Sequence, residues 1–192
     1  MDGGPGDRDK APRNKAMALA VVIVFSALIA VSTFLSIKLP EPLGEITWSP
    51  PIYMALVVLA GPAIGAESIA IGSFLGESLN VAWLGWPAIY APGMVWARAP
   101  EAFIIGWARK KGTKTLVMAM VLATVFETLA FLLSDWMFYT YGLFGYGSPY
   151  GLSAGFTAAA PDLFTLLDLA YIPVALLLVR AARPSFRRLG FE

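Results

Sequence analysis

The chain of 192 residues contains no cysteine and no histidine. The first absence removes disulfides and thiolate metal sites, and the second removes the commonest side-chain ligand for haem, zinc and copper. A haem, iron–sulfur or histidine–zinc enzyme is thereby nearly excluded. Charge is also scarce, at 14% of residues, with a net formal charge of +1. Outside three short clusters, Arg8 to Lys15, Arg109 to Lys114 and Arg180 to Arg188, only Lys38 and Arg98 are basic. Groups this short and this close to apolar runs give no footprint for nucleic acid. The sequence has no phosphate-binding P-loop, no zinc signature and no paired catalytic motif, so it carries no ATPase of its own and implies no cofactor.

What is abundant is apolar sequence, 58% of the chain, more than a soluble domain of this size needs to bury. Several runs approach the roughly 20 residues that span a bilayer. The fold class expected is therefore an all-α, multi-pass protein of the cell membrane. Basic residues flanking spans stay on the cytoplasmic side, so the N-terminus, the Arg109-Lys110-Lys111 loop and the C-terminus share one face. The expected organisation is a disordered cytoplasmic tail over residues 1–14, a six-helix membrane domain over 15–183, and a cytoplasmic tail over 184–192.

The first span is Ala16 to Ile37, longer than a signal-peptide core and without a small-residue cleavage site, which predicts a retained helix. Ile52 to Trp83 is too long for one helix, and Gly61-Pro62 breaks it, with Gly65 and Ala66 completing a tight turn. The fourth span runs from Trp86-Pro87 to Trp107 with a kink at Pro92-Gly93, and the fifth from about Thr115 to Trp136. Phe138 to Ala160 reads as an outer loop. Pro161-Asp162 starts a sixth span that ends at Val179. A re-entrant hairpin across Ile52 to Trp83 would give four spans with the same sidedness; six is preferred because that stretch holds enough apolar residues for two crossings. Outer loops then fall at Lys38 to Ser49, Leu84 to Pro87 and Phe138 to Ala160.

Ionisable residues inside the apolar runs are the chemical signal: Glu77, Arg98, Glu101, Glu127, Asp135 and Asp168, with Glu67 and Asp162 nearer span ends. A central charge facing lipid costs roughly 2.5–3.5 kcal/mol on insertion scales, so these should turn inward. Glu127, Phe131 and Asp135 share a helix face at i, i+4 and i+8, as do Glu77 with Asn80 and Arg98 with Glu101. Arg98 with Glu101 can be read as a neutralising ion pair. One arginine cannot neutralise every acid, which favours a ligand with positive charge or several donors; acids that are simply protonated are the alternative. Most Trp and Tyr at span ends serve as interfacial anchors, but Trp96, near Arg98, and Trp136, beside Asp135, are candidates to stack on a flat, cationic ring. Spacings such as Gly72-x-x-x-Gly76 read as internal packing surfaces. Ala16-x-x-x-Ala20 lies at the cytoplasmic end of the first span, where a partner could dock.

The stretch Ser49-Pro50-Pro51-Ile52-Tyr53 through Gly61-Pro62-Ala63-Ile64-Gly65, followed by Gly72-Ser73-Phe74-Leu75-Gly76-Glu77, resembles the second and third helices of the substrate-binding S components of energy-coupling-factor vitamin transporters. The Ala16/Ala20 spacing is similar to the surface those proteins press against their coupling subunit. The resemblance implies a non-enzymatic subunit of an ABC-type importer, which captures a vitamin-like molecule from outside. It also implies a transmembrane T component and two cytoplasmic ATPases as partners. Candidate ligand residues are Asn80, Trp96, Arg98, Glu101, Glu127, Asp135, Trp136 and Asp168, with Ala16 and Ala20 at the partner interface and thiamin or its pyrimidine as the first ligands to consider. A thiamin site built on histidine would have to be altered here. The competing expectation is a stand-alone ion- or proton-coupled carrier; a lipid-directed membrane enzyme and a structural subunit rank below it.

Overall fold

The computed structural model describes residues 10–38 and 45–191. It is all-α, with 81% of the described residues helical. The elements are α1 (Lys10–Phe34), α2 (Pro50–Ala60), α3 (Pro62–Leu84), α4 (Tyr90–Arg98), α5 (Glu101–Ala108), α6 (Thr113–Tyr141), α7 (Leu152–Ala159) and α8 (Ile172–Arg188), with a 3₁₀ segment, Ala160–Tyr171, joining the last two. A minimal antiparallel ladder pairs β1 (Ile37–Lys38) with β2 (Glu45–Ile46) after α1.

The long helices α1 and α6 turn apolar side chains outward and bury their polar ones. On α6 the exposed residues Met118, Leu122, Phe126, Leu129, Leu133 and Met137 recur every three or four positions, while Thr124, Glu127, Thr128 and Asp135 are buried on the opposite face. On α1, Leu19, Ile23, Val24, Leu28 and Val31 are exposed and Ser26 and Thr33 are buried. Water would drive the opposite arrangement; hydrocarbon tolerates this one because exposed leucine costs nothing there and an exposed carboxylate costs much. Among the described residues three helical runs are long and apolar enough to cross a membrane: Lys15–Phe34, Thr113–Tyr141 and Leu152–Arg188.

α2 is the hub. Pro50, Pro51 and Tyr53 to Ala60 are all buried, against α1, α3, α5 and α8. Eleven residues make a helix of about 16 Å, roughly half the hydrocarbon thickness, so α2 is not a full span of its own. It ends at Gly61, whose φ of +100° an L side chain rarely adopts and whose missing Cβ leaves room for the Arg109 guanidinium. The turn is this one residue: Gly65 and Ala66 already belong to α3, and Gly65 instead lets Val57 approach, a Cβ there lying 2.5 Å from Val57 Cγ2. The expected packing role of Gly72 and Gly76 is realised against α1, where added Cβ atoms would meet the backbone oxygens of Ser26 and Ala30 at 2.7 and 2.6 Å.

Several boundaries differ from the sequence reading. Pro92 lies in the first turn of α4, where its missing N–H has no intrahelical partner to lose, so no kink forms there. The break falls between α4 and α5 at Ala99-Pro100. α6 continues to Tyr141 and α7 occupies Leu152–Ala159, which shortens the loop expected over Phe138 to Ala160 to residues 142–151. Pro161-Asp162 lies within a continuous helical run. Residues 10–14, expected to belong to the N-terminal tail, are helical. At the other end α8 reaches Arg188, and Phe186 is buried with its ring 6.0 Å edge-on to Phe25, so 184–188 belong to the bundle. Residues 1–9 of the expected tail, residues 39–44 of the first outer loop and Glu192 lie outside the described residues.

Candidate functional site

Among the described residues the buried charged side chains are five acids, Glu77, Glu101, Glu127, Asp135 and Asp168, and one base, Arg98. Arg98 ends α4, and each of its three guanidinium nitrogens makes a hydrogen bond. Nε donates to Glu127 Oε1 at 2.6 Å, Nη1 to Ser49 Oγ at 3.2 Å and Nη2 to Thr47 Oγ1 at 3.3 Å. Ser49 stands at the start of α2 in the position where serine usually caps its own helix; here it makes no side-chain cap and accepts from Arg98 instead. The Arg98–Glu101 pair expected from spacing does not form, because the helix breaks between them and Arg98 turns to α6.

Glu101 is held by Tyr53, one turn into α2, whose hydroxyl lies 2.9 Å from Glu101 Oε1 and 3.3 Å from Glu127 Oε2. A phenol has one proton to donate, and Glu101 is the nearer acceptor. Glu101 Oε2 is buried without a hydrogen-bond partner. Two turns further along α6, Asp135 accepts from Tyr146 at 2.9 Å and from Tyr90 at 3.5 Å. Tyr146 belongs to the loop after α6, and burial pushes its phenol above the ordinary range, with Tyr90 and Asp135 acting in the same direction, so it stays a neutral donor. Its ring packs on Tyr90 (5.7 Å), Phe138 (5.6 Å) and Tyr139 (4.6 Å). This loop bends through positive φ at Gly142, Gly145, Gly147 and Gly151 and places Tyr146 over Asp135.

The 3₁₀ segment completes the site. With three residues per turn, every third side chain shares a face. Asp162, Thr165, Asp168 and Tyr171 accordingly form the less exposed stripe, while Leu163, Phe164, Leu166 and Leu167 are exposed. Asp168 lies within electrostatic reach of Arg98 and Glu127, and Asp162 within reach of Asp135. The registers match: six residues of 3₁₀ helix and eight of α-helix both rise about 12 Å. The result is a two-rung ladder, Glu127 with Asp168 and Asp135 with Asp162. Asp162 Oδ2 is buried without a hydrogen-bond partner. Among the described residues no group of three or more carboxylates is placed to hold a metal ion.

Of the residues singled out by sequence, Arg98, Glu101, Glu127, Asp135 and Asp168 come together in this column. Asn80 does not: its Nδ2 donates to Glu77 Oε2 at 3.1 Å and to the Thr33 carbonyl at 3.4 Å, at the α1–α3 contact. Trp136 donates its indole N–H to the Leu152 carbonyl at 2.8 Å and packs edge-on to Phe156, tying α6 to α7. Neighbouring residues on a helix point about 100° apart, which is why Asp135 and Trp136 serve different surfaces. Trp96 likewise turns from Arg98 to donate to Ser134 Oγ at 3.2 Å. Ala16 and Ala20 are both exposed. Sequence reasoning missed Thr47, Ser49, Tyr53, Tyr90 and Tyr146; the only local hint was Ser49 and Tyr53 at i and i+4 in an otherwise apolar helix.

No family model matches the chain, and comparison with curated proteins and with solved structures finds no match.

Proposed function

We propose that the chain is the substrate-capture subunit of an energy-coupling-factor importer, crossing the membrane six times with both termini cytoplasmic. The crossings are α1, α2 with the extended segment before it, α3, α4 with α5, α6, and α7 with α8. The cavity that joins the α5–α6 turn to α8 supports this sidedness, because Arg109, Lys110 and Lys111 line it together with Arg183 and Arg187. Two crossings separate those clusters, as a shared cytoplasmic face requires. Asp135 lies about 33 Å along α6 from Thr113, toward the outer side.

The observation that carries the reading is the acid ladder. Its inner rung is neutralised in part by Arg98; its outer rung has two carboxyl groups, an orphaned acceptor on Asp162 and phenols from Tyr90 and Tyr146. That set suits a small, water-soluble, nitrogen-rich ring with positive charge, as in a vitamin or its precursor. Thiamin and its pyrimidine are the first compounds to test. Energy would come from a transmembrane T component and two cytoplasmic ATPases, the former docking on α1 at Ala16 and Ala20.

Mass spectrometry of the small molecule that co-purifies with the chain, followed by thermal-shift titration, tests the assignment. Asp135→Asn, Asp162→Asn and Glu127→Ala should each weaken binding by about tenfold or more, the scale of one charge-assisted hydrogen bond. Full affinity in all three removes the ladder as the binding site. The excess of buried acids over one arginine also fits a stand-alone ion- or proton-coupled carrier. Gradient-driven uptake into liposomes by this chain alone, without ATP, would select that reading instead.

A further inference from the structure

A second polar site lies at the opposite end of the bundle from the outer rung. A cavity of about 490 Å³ opens between the α5–α6 turn and the last turns of α8. Arg109, Lys110, Lys111, Arg183 and Arg187 all line it, and none of its lining residues is acidic. Arg109, Lys110 and Arg183 make no ion pair with a described carboxylate. The start of α6 adds to the field: Gly112, also in the lining, provides no side-chain cap, so the first N–H groups of a 29-residue helix are left for another acceptor. The other wall is apolar, formed by Leu59, Leu116 and Phe186.

That pairing of a cationic rim with an apolar wall is unnecessary for topology alone, which needs only charge near a span. Its level is interfacial: Trp107, 66% exposed, stands beside the cavity with the Lys111 ammonium 3.1 Å above its ring. A soluble anion would use the rim and leave the wall idle. A phospholipid uses both, with phosphate on the guanidinium and ammonium groups and the upper acyl chain along the wall. We propose that this cavity binds the headgroup phosphate of an anionic phospholipid. The site is separate from the ladder and independent of whatever ligand the ladder takes.

The test uses the full chain in neutral detergent, titrated with phosphatidylglycerol, phosphatidylcholine or inorganic phosphate, with retained lipid counted by native mass spectrometry. Phosphatidylglycerol should bind about tenfold or more tightly than phosphatidylcholine, and Lys110→Gln with Arg183→Gln should remove most of that preference. Lys114→Gln with Arg180→Gln is the control: it removes the same charge from exposed positions outside the lining and should change binding less than about twofold. All four side chains are exposed, so folding is unaffected. Equal retention of the two lipids, or equal loss in the two variant pairs, overturns the site as a specific one. Saturation by inorganic phosphate with no effect of phosphatidylglycerol would overturn the lipid assignment in favour of a soluble phosphate compound.

Discussion

Arg98 shows how much one side chain settles in a low-dielectric interior. It is the one buried base among the described residues, and its three nitrogens tie α4 to the segment leading into α2, through Thr47 and Ser49, and to α6 through Glu127. Removing one member of a buried pair leaves an uncompensated charge, which costs about 3–5 kcal/mol. Arg98→Leu should therefore lower stability by about that amount, while Arg98→Leu combined with Glu127→Leu should recover a large part of it. Unfolding of the three proteins in a denaturing-detergent titration provides the comparison, and an Arg98→Leu protein as stable as the parent would contradict the pairing. At this scale the sequence was informative where spacing set the answer. Glu127 and Asp135 fall on the same side of α6 because eight residues make two whole turns plus about 80°, with Phe131 between them. It misled where adjacency was taken for proximity, at Trp136 beside Asp135 and at Trp96 near Arg98.

Elements were legible as far as their local chemistry determined them. Gly61-Pro62 ends one helix and begins another because the first residue needs positive φ and the second suits a first turn. The α1–α3 contact follows from Gly72 and Gly76, which bring the two backbones together. Gly76→Ala would press a Cβ on the Ala30 carbonyl and Thr33 Cβ, at 2.6 and 2.7 Å, so it should cost about 1–3 kcal/mol. Ala63→Gly on the exposed side of α3 provides a matched control, expected to cost about 1 kcal/mol or less from helix propensity alone. Equal effects of the two changes in the same titration would rule out close packing as the reason for the glycine. The 3₁₀ segment was not legible. Asp162 to Tyr171 reads as ordinary apolar helix, and its three-residue burial period follows from the 3₁₀ winding.

For the whole molecule, inversion of polarity was the readable property. An excess of apolar residues, with acids scattered among them, fits only a chain that turns carboxyl groups inward and leucines outward. The shape of the hub was hidden, since nothing in Ile52 to Ala60 distinguishes a half-length central helix from part of a span. The exposed Ala16 and Ala20 faces allow the proposed partner contact to be tested apart from folding. Ala16→Leu with Ala20→Leu should change stability by less than about 0.5 kcal/mol, as exposed substitutions do, yet abolish co-purification with the transmembrane coupling component. Unchanged co-purification would move the docking surface elsewhere.

The 3₁₀ tract makes this end of the bundle a screw. Rewinding its twelve residues to α pitch would shorten the tract by about 6 Å and rotate α7 against α8 by about two thirds of a turn. Asp162 and Asp168 would then point about 120° apart and only one could remain on the ladder. Pitch therefore sets acid valence: the same sequence presents two carboxyl groups to the column in one winding and one in the other.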